Sequence, residues 1–130
     1  PVVADNYGMS IPVLCAEIDF DALFEVSNTE PDYKPLPKFP AVTRDIAVVC
    51  KNEITVGQLT DCIRRGAKGL LKEVKLFDIY KGANLPEGKK SVAFNLVLRA
   101  DDRSLTAQEA DDEVKAVLEA LEKEFGASLR

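Results

Sequence analysis

The 130-residue sequence has no histidine, no tryptophan and one methionine. Without histidine, the commonest general base near neutral pH and the commonest metal ligand are both missing. Hydrolytic catalysis by this chain alone is therefore not expected, nor is a metal site. Cys15, Cys50 and Cys62 are odd in number and widely separated. They offer neither a disulfide framework nor a Cys-x-x-Cys pair, and reduced thiols in a cytoplasmic setting are expected. No apolar run reaches the roughly 18 residues of a membrane span. The opening Pro1-Val2-Val3-Ala4-Asp5 lacks the basic stretch and apolar core of a secretory signal, and a start without Met suggests a fragment.

Hydrophobic residues make up 46% of the chain and charged ones 30%, enough for one compact core. The net charge of -5 is unevenly spread. Residues 1–33 hold seven acids and no base, residues 34–103 fourteen Lys or Arg against eight acids, and residues 104–130 three against seven. A basic middle suits a phosphate-binding surface, and it equally suits an ordinary solvated surface between acidic tails.

Val13 to Phe20 has strand-like residues with partial alternation, and Asp19 to Phe24 suits the start of a short helix. Pro31 to Pro40 carries four prolines, predicting a stiff extended linker because proline fixes φ and donates no hydrogen bond. The chain thus divides into residues 1–30, a linker at 31–42 and a domain at 43–130. Within that domain Thr43 to Lys51 reads as a strand. Thr55 and Gln58 fit a capping box opening a helix that Gly66 and Gly69 weaken and stop. Leu71 to Tyr80 and Ser91 to Arg99 read as two strands joined by a glycine- and proline-containing hairpin loop. Thr106 and Glu109 form a second capping box, followed by a stripe from Ala110 to Phe125 and a C-terminal cap at Gly126. Ala127 to Arg130 suits a short edge strand. The order βαββαβ predicts an α+β, ferredoxin-like fold: a four-stranded antiparallel sheet with two helices on one face and the other face open.

Period-two alternation assigns the third strand. Val92, Phe94, Leu96 and Leu98 point at the helices, leaving Ser91, Ala93, Asn95, Val97 and Arg99 on the open side. In the second strand both faces are mixed. If Phe77 and Ile79 enter the core, Asp78 and Tyr80 stand on the open side beside Ser91. An aromatic ring flanked by a carboxylate and a hydroxyl suits stacking on an unpaired base, and an acceptor-only Asp matches the paired donors of guanine. A Tyr80 that merely covers the end of the sheet fits the same pattern.

The segments YKPLPKFPAVTRDIAVV (Tyr33 to Val49), LFDIYKG (Leu76 to Gly82), LPEGKKSVAFNLVLR (Leu85 to Arg99) and the LT-x-x-E turn (Leu105 to Glu109) resemble, in order and spacing, the C-terminal anticodon-binding domain of the bacterial phenylalanine tRNA synthetase beta chain. DNYGM and PVLCAEIDFDALF upstream resemble the tail of the preceding catalytic-like module. The resemblance implies that Asp78, Tyr80 and Ser91 contact the first anticodon base, a guanine. Lys81, Lys89 and Lys90 are candidate phosphate contacts, and Thr43, Arg44 and Asp45 match a signature of structural or RNA-contacting role. The implied partners are the anticodon stem-loop of phenylalanine tRNA, the alpha subunit and the rest of the beta subunit in an alpha2-beta2 assembly, with no DNA and no membrane. ATP and magnesium would serve the parent enzyme; this chain itself would carry no cofactor and no catalytic residue. Residues 1–30, parted from their module, would be mobile or would pair with a sheet edge.

Two other functions suit the same fold plan. A regulatory small-ligand module would be a pairwise assembly binding an amino acid at a helix or strand junction, and the sequence has no glycine-rich anion loop for it. An acylphosphatase-like hydrolase would need an Arg-bearing cradle after the first strand, where Lys51-Asn52-Glu53-Ile54 supplies neither glycine nor Arg. A four-cysteine iron–sulfur cluster is beyond three scattered cysteines.

Overall fold

The computed structural model describes residues 2–27, 33, 35–82 and 84–130. They form two units, Pro1–Pro35 and Leu36–Arg130. The first contains α1 (Val2–Asn6) and α2 (Phe20–Val26), neither of which buries a residue. Asp19 caps α2, its carboxylate accepting the Ala22 N–H at 3.1 Å. The strand expected from Val13 to Phe20 does not form: residues 12–19 have no regular structure and Phe20 opens the helix. Alternation is not sufficient, because a strand also needs a neighbour for its N–H and C=O groups. The described residues before Val42 contribute no strand to the sheet. Of the expected proline linker, Pro31, Asp32 and Lys34 lie outside the described residues, as does Ala83 in the hairpin loop.

The second unit runs β1 (Val42–Lys51), α3 (Val56–Gly66), β2 (Leu71–Tyr80), β3 (Lys89–Leu98), α4 (Ala107–Phe125) and β4 (Ser128–Leu129). The sheet order is β2-β3-β1-β4, all neighbours antiparallel. This is the ferredoxin-like α+β plan. Both capping boxes form: the side chains of Thr55 and Thr106 accept from the N–H groups of Gln58 and Glu109, whose own side chains accept from the cap backbone. Gly126, at φ 59°, closes α4 in the left-handed region where only glycine is unstrained.

The core lies between the helices and one sheet face. Ile46, Val48 and Cys50 of β1 and Val92, Phe94, Leu96 and Leu98 of β3 meet Leu59, Ile63, Val117 and Leu121 from the helices. Full burial of each Leu, Val or Phe contributes roughly 1.5–3 kcal/mol. The helices touch closely: a Cβ on Gly66 would sit 2.7 Å from the Ala120 Cβ.

Glu113 ties the helix layer to the start of β2. Only 2% exposed, it lends one carboxylate oxygen to the N–H groups of Lys68, Gly69 and Leu70 at 2.8, 3.2 and 3.1 Å. Three backbone donors that would otherwise be orphaned at the turn are satisfied by one side chain.

The two mixed faces of β2 have a physical cause. Its register with β3 slips twice, between Leu71 and Glu73 and between Leu76 and Asp78. Val74 and Leu76 oppose Leu96 and Phe94 on the helix side; after the second slip Ile79 opposes Val92 there too. The extra residue exchanges the parity of the strand. Neither Phe77 nor Ile79 enters the core as expected: Ile79 takes the helix side but stays 44% exposed, and Phe77 is the unpaired bulge residue and 61% exposed.

Candidate functional site

The bulge at Phe77 determines what the open face presents, since it turns Asp78 and Tyr80 away from the helices. Tyr80 opposes Ser91, which opposes Val49, which opposes Ser128 on β4. The next row is Asp78, Ala93 and Ala47, followed by Lys75, Asn95 and Asp45. On the other side of the Tyr80 row Lys89 opposes Lys51. The sequence-predicted trio of Asp78, Tyr80 and Ser91 is therefore brought together at one corner of the sheet.

Tyr80 is held there from two directions. A Cβ on Gly82 would run into the Oη, Cζ and Cε1 of Tyr80, so the phenol lies directly against the Gly82 backbone. From the opposite edge of the sheet, the Arg130 guanidinium carbon sits 5.1 Å from the centroid of the Tyr80 ring, within cation–π range. No helix of this unit covers this face, yet Ser91, Ala93 and Val49 are only 3%, 8% and 9% exposed. The Tyr80 and Arg130 side chains meet over this face, the guanidinium above the ring. Ser91 is accordingly the floor of the corner, whereas Asp78 is exposed at its rim.

The lysines divide. Lys81 and Lys89 are exposed near the corner. Lys90, one residue on from Lys89, points to the helix side: it is buried and its Nζ donates to the Asn52 carbonyl at 3.1 Å. Its ammonium is committed to the protein's own backbone and is withdrawn from a phosphate surface. Arg44 also faces the helix side, donating from Nε to Asp111 on α4 at 3.0 Å. Asp45 stays on the open face and accepts from the Asn95 amide at 2.7 Å. Lys51 and Arg130 complete the basic rim of the corner. Sequence reasoning missed both because only the register sets Lys51 opposite Lys89 on this face and only β4 brings Arg130 to Tyr80; Gly82 was visible only as part of the motif ending in Lys81-Gly82.

The two buried thiols, Cys50 and Cys62, are poor nucleophiles. Burial pushes the Cys62 thiol up to about 11, with the Glu124 carboxylate adding to it, and burial likewise raises Cys50. Among the described residues no three His, Cys, Asp or Glu side chains converge as metal ligands, and no helix is long and apolar enough to cross a membrane.

An aromatic ring, an acceptor-only carboxylate and a basic rim on an uncovered sheet face are the parts of a single-strand base site. Residues 37–130 match the ferredoxin-fold anticodon binding domain. The chain belongs to that family. The whole chain is also similar to longer proteins. It is 45% identical over 130 residues to the phenylalanine–tRNA ligase beta subunit of Clostridium tetani, covering 100% of this chain and 16% of that protein. It is 43% identical over 130 residues to that of Symbiobacterium thermophilum, covering 100% of this chain and 14% of that protein. With the beta subunit of Geobacillus kaustophilus it shares 46% identity over 112 residues, 84% of this chain and 14% of that protein. The chain thus spans about one sixth or less of the length of these relatives.

Proposed function

We propose that this chain holds the anticodon stem-loop of phenylalanine tRNA for a phenylalanine–tRNA ligase, with Asp78, Tyr80 and Ser91 reading the first anticodon base. The observation that carries the reading is the convergence of these three residues on the uncovered face of a family member's sheet. The Tyr80 ring is the stacking platform, and stacking of one base on such a ring contributes roughly 1–3 kcal/mol. Asp78, exposed at the rim, accepts from the N1 and N2 donors of guanine, for which adenine and uracil offer no equivalent pair. A good bidentate contact discriminates by roughly 1–3 kcal/mol. The Ser91 hydroxyl, at the floor, meets whatever part of the nucleotide passes beneath the ring. Lys51, Lys81 and Lys89 supply charge for the backbone, so binding weakens as salt rises.

On this reading the chain positions the tRNA while aminoacylation takes place on the alpha subunit, in the cytoplasm, within an alpha2-beta2 assembly. ATP and magnesium act there, and no step passes through a residue of this chain. The test is a low-salt titration of a phenylalanine anticodon stem-loop against the wild type, Tyr80→Ala and Asp78→Ala. Tyr80→Ala is expected to lower affinity by about 5- to 150-fold, the equivalent of the stacking energy. Asp78→Ala should reduce the preference for guanine over adenine at the first anticodon position. Unchanged affinity and unchanged preference in both variants would remove the assignment.

A further inference from the structure

The fold gives no use to the Arg130 side chain. Its residue follows β4, which meets β1 only through the pairs Val48–Leu129 and Val49–Ser128 and the Arg130 N–H donated to the Ala47 carbonyl at 2.9 Å. The backbone is thereby placed at the sheet edge, and the side chain is left free to point into solvent. Instead it reaches over the open face until its guanidinium lies above Tyr80, 5.1 Å from the ring centroid. β4 and β2 are three strand spacings apart, about 14 Å. The contact therefore exists only because both side chains lie along the sheet toward each other.

A guanidinium is planar and delocalised, and it packs flat on π systems much as a nucleobase does. Over Tyr80 it lies on the side of the ring where a stacked base would sit. We propose that Arg130 is the second wall of the base slot: the unpaired base enters between the Tyr80 ring and the Arg130 guanidinium and is stacked on both sides. This inference rests on the reading of Tyr80 as the base platform and deepens it.

The geometry is that of a closed slot. A base in contact on both faces requires two van der Waals gaps of roughly 3.5 Å each, about 7 Å in all, so the guanidinium must withdraw by about 2 Å from its 5.1 Å position. The exposed side chain, at the end of a two-residue edge strand, has that freedom. Arginine suits the role better than lysine, since a lysine ammonium brings the charge but has no plane to stack. The opposite possibility is a guanidinium that only shields an empty platform and is expelled by the base, which reverses the sign of every expected effect.

The experiment titrates the 130-residue chain with two anticodon stem-loops, one carrying guanine at the first anticodon position and one abasic there. Wild type, Tyr80→Ala, Arg130→Ala and Arg130→Lys are compared across a salt series. The expected result is a loss of roughly tenfold for Arg130→Ala on the guanine stem-loop, the scale of one cation–π and stacking contact, with little loss on the abasic one. Arg130→Lys should recover the salt dependence but not the base-dependent affinity. Equal losses on both RNAs would make Arg130 a phosphate contact, and an Arg130→Ala affinity equal to or above wild type would make it a bystander or a shield; either overturns the inference. If Tyr80→Ala lowers affinity for guanine and Arg130→Ala does not, the platform survives and the second wall falls. If the wild type binds both RNAs equally, the platform reading fails first.

Discussion

Val48 and Val49 are neighbours in β1 and chemically identical, yet they belong to different parts of the molecule. Val48 faces the helices, fully enclosed in the core with Val92 opposite it. Val49 faces the other way, in the row of Tyr80, Ser91 and Ser128. The pleat sends adjacent residues to opposite faces, so one strand serves stability and recognition in alternate positions. Apart from Arg44 and Lys90, residues of β1 and β3 on the helix side are apolar and interchangeable only with similar shapes. Those on the open side are mostly small, polar or charged, and at one corner the Arg130 guanidinium lies over the Tyr80 ring.

The comparison can be tested from the stability side first. Phe94 is fully buried on the helix face beside Ala93 of the open face. Phe94→Ala is expected to cost about 3–5 kcal/mol of unfolding free energy, as core Phe truncations do, measured by urea denaturation. Were the loss under about 1 kcal/mol, a typical surface effect, the helix face would not be the core described.

Gly82→Ala should have the reverse profile. Gly82 is not among the glycines with positive φ, so alanine fits its backbone, but the added methyl takes the place of the Tyr80 phenol. The ring, as the far end of a flexible side chain, moves aside. Unfolding free energy is expected to change by under about 0.5 kcal/mol, like an ordinary surface change. Stem-loop affinity should nevertheless fall toward that of Tyr80→Ala. An alanine variant that binds RNA as the wild type does would show that the ring position is unimportant.

The smallest effect concerns acid. Glu109, in the first turn of α4, is held down to about 2 by the Thr106 backbone N–H, the Arg103 guanidinium and the Thr106 hydroxyl. Its folded-state value lies below the usual carboxylate range, so its contribution is full above about pH 4.5 and is lost as pH falls toward about 2. The melting temperature of Glu109→Gln should lie slightly below wild type at neutral pH, and the two should converge through that window. Curves that stay parallel would place the acid response elsewhere in the helix layer.

How far these features were legible in the sequence follows from which interactions are local. Both capping boxes, the αL glycine after α4 and the alternation of β3 are readable because each depends on residues within one turn or one strand. β2 was ambiguous because a bulge adds one residue at Phe77 and exchanges the two faces, and nothing in LKEVKLFDIY marks where the extra residue falls. Lys90 looks like a surface lysine in a polar loop until the register places it on the helix side, opposite Cys50. Glu113 looks like one more acid on α4, and its three backbone partners come from a turn more than forty residues away. The trio of Asp78, Tyr80 and Ser91 was found through the family motif, while Arg130 became visible only when β4 joined the sheet. The misplaced strand at residues 13–20 shows the limit of alternation where no partner strand supports it.

The division of the sheet into a packed face and a recognising face is tested most directly by methyl NMR of the chain during titration with the anticodon stem-loop. Methyl signals of Val49, Ala93 and Ala47 are predicted to shift as RNA is added, while those of Val48, Val92 and Leu96 stay in place. Shifts confined to the second group, or spread evenly over both, would contradict the account.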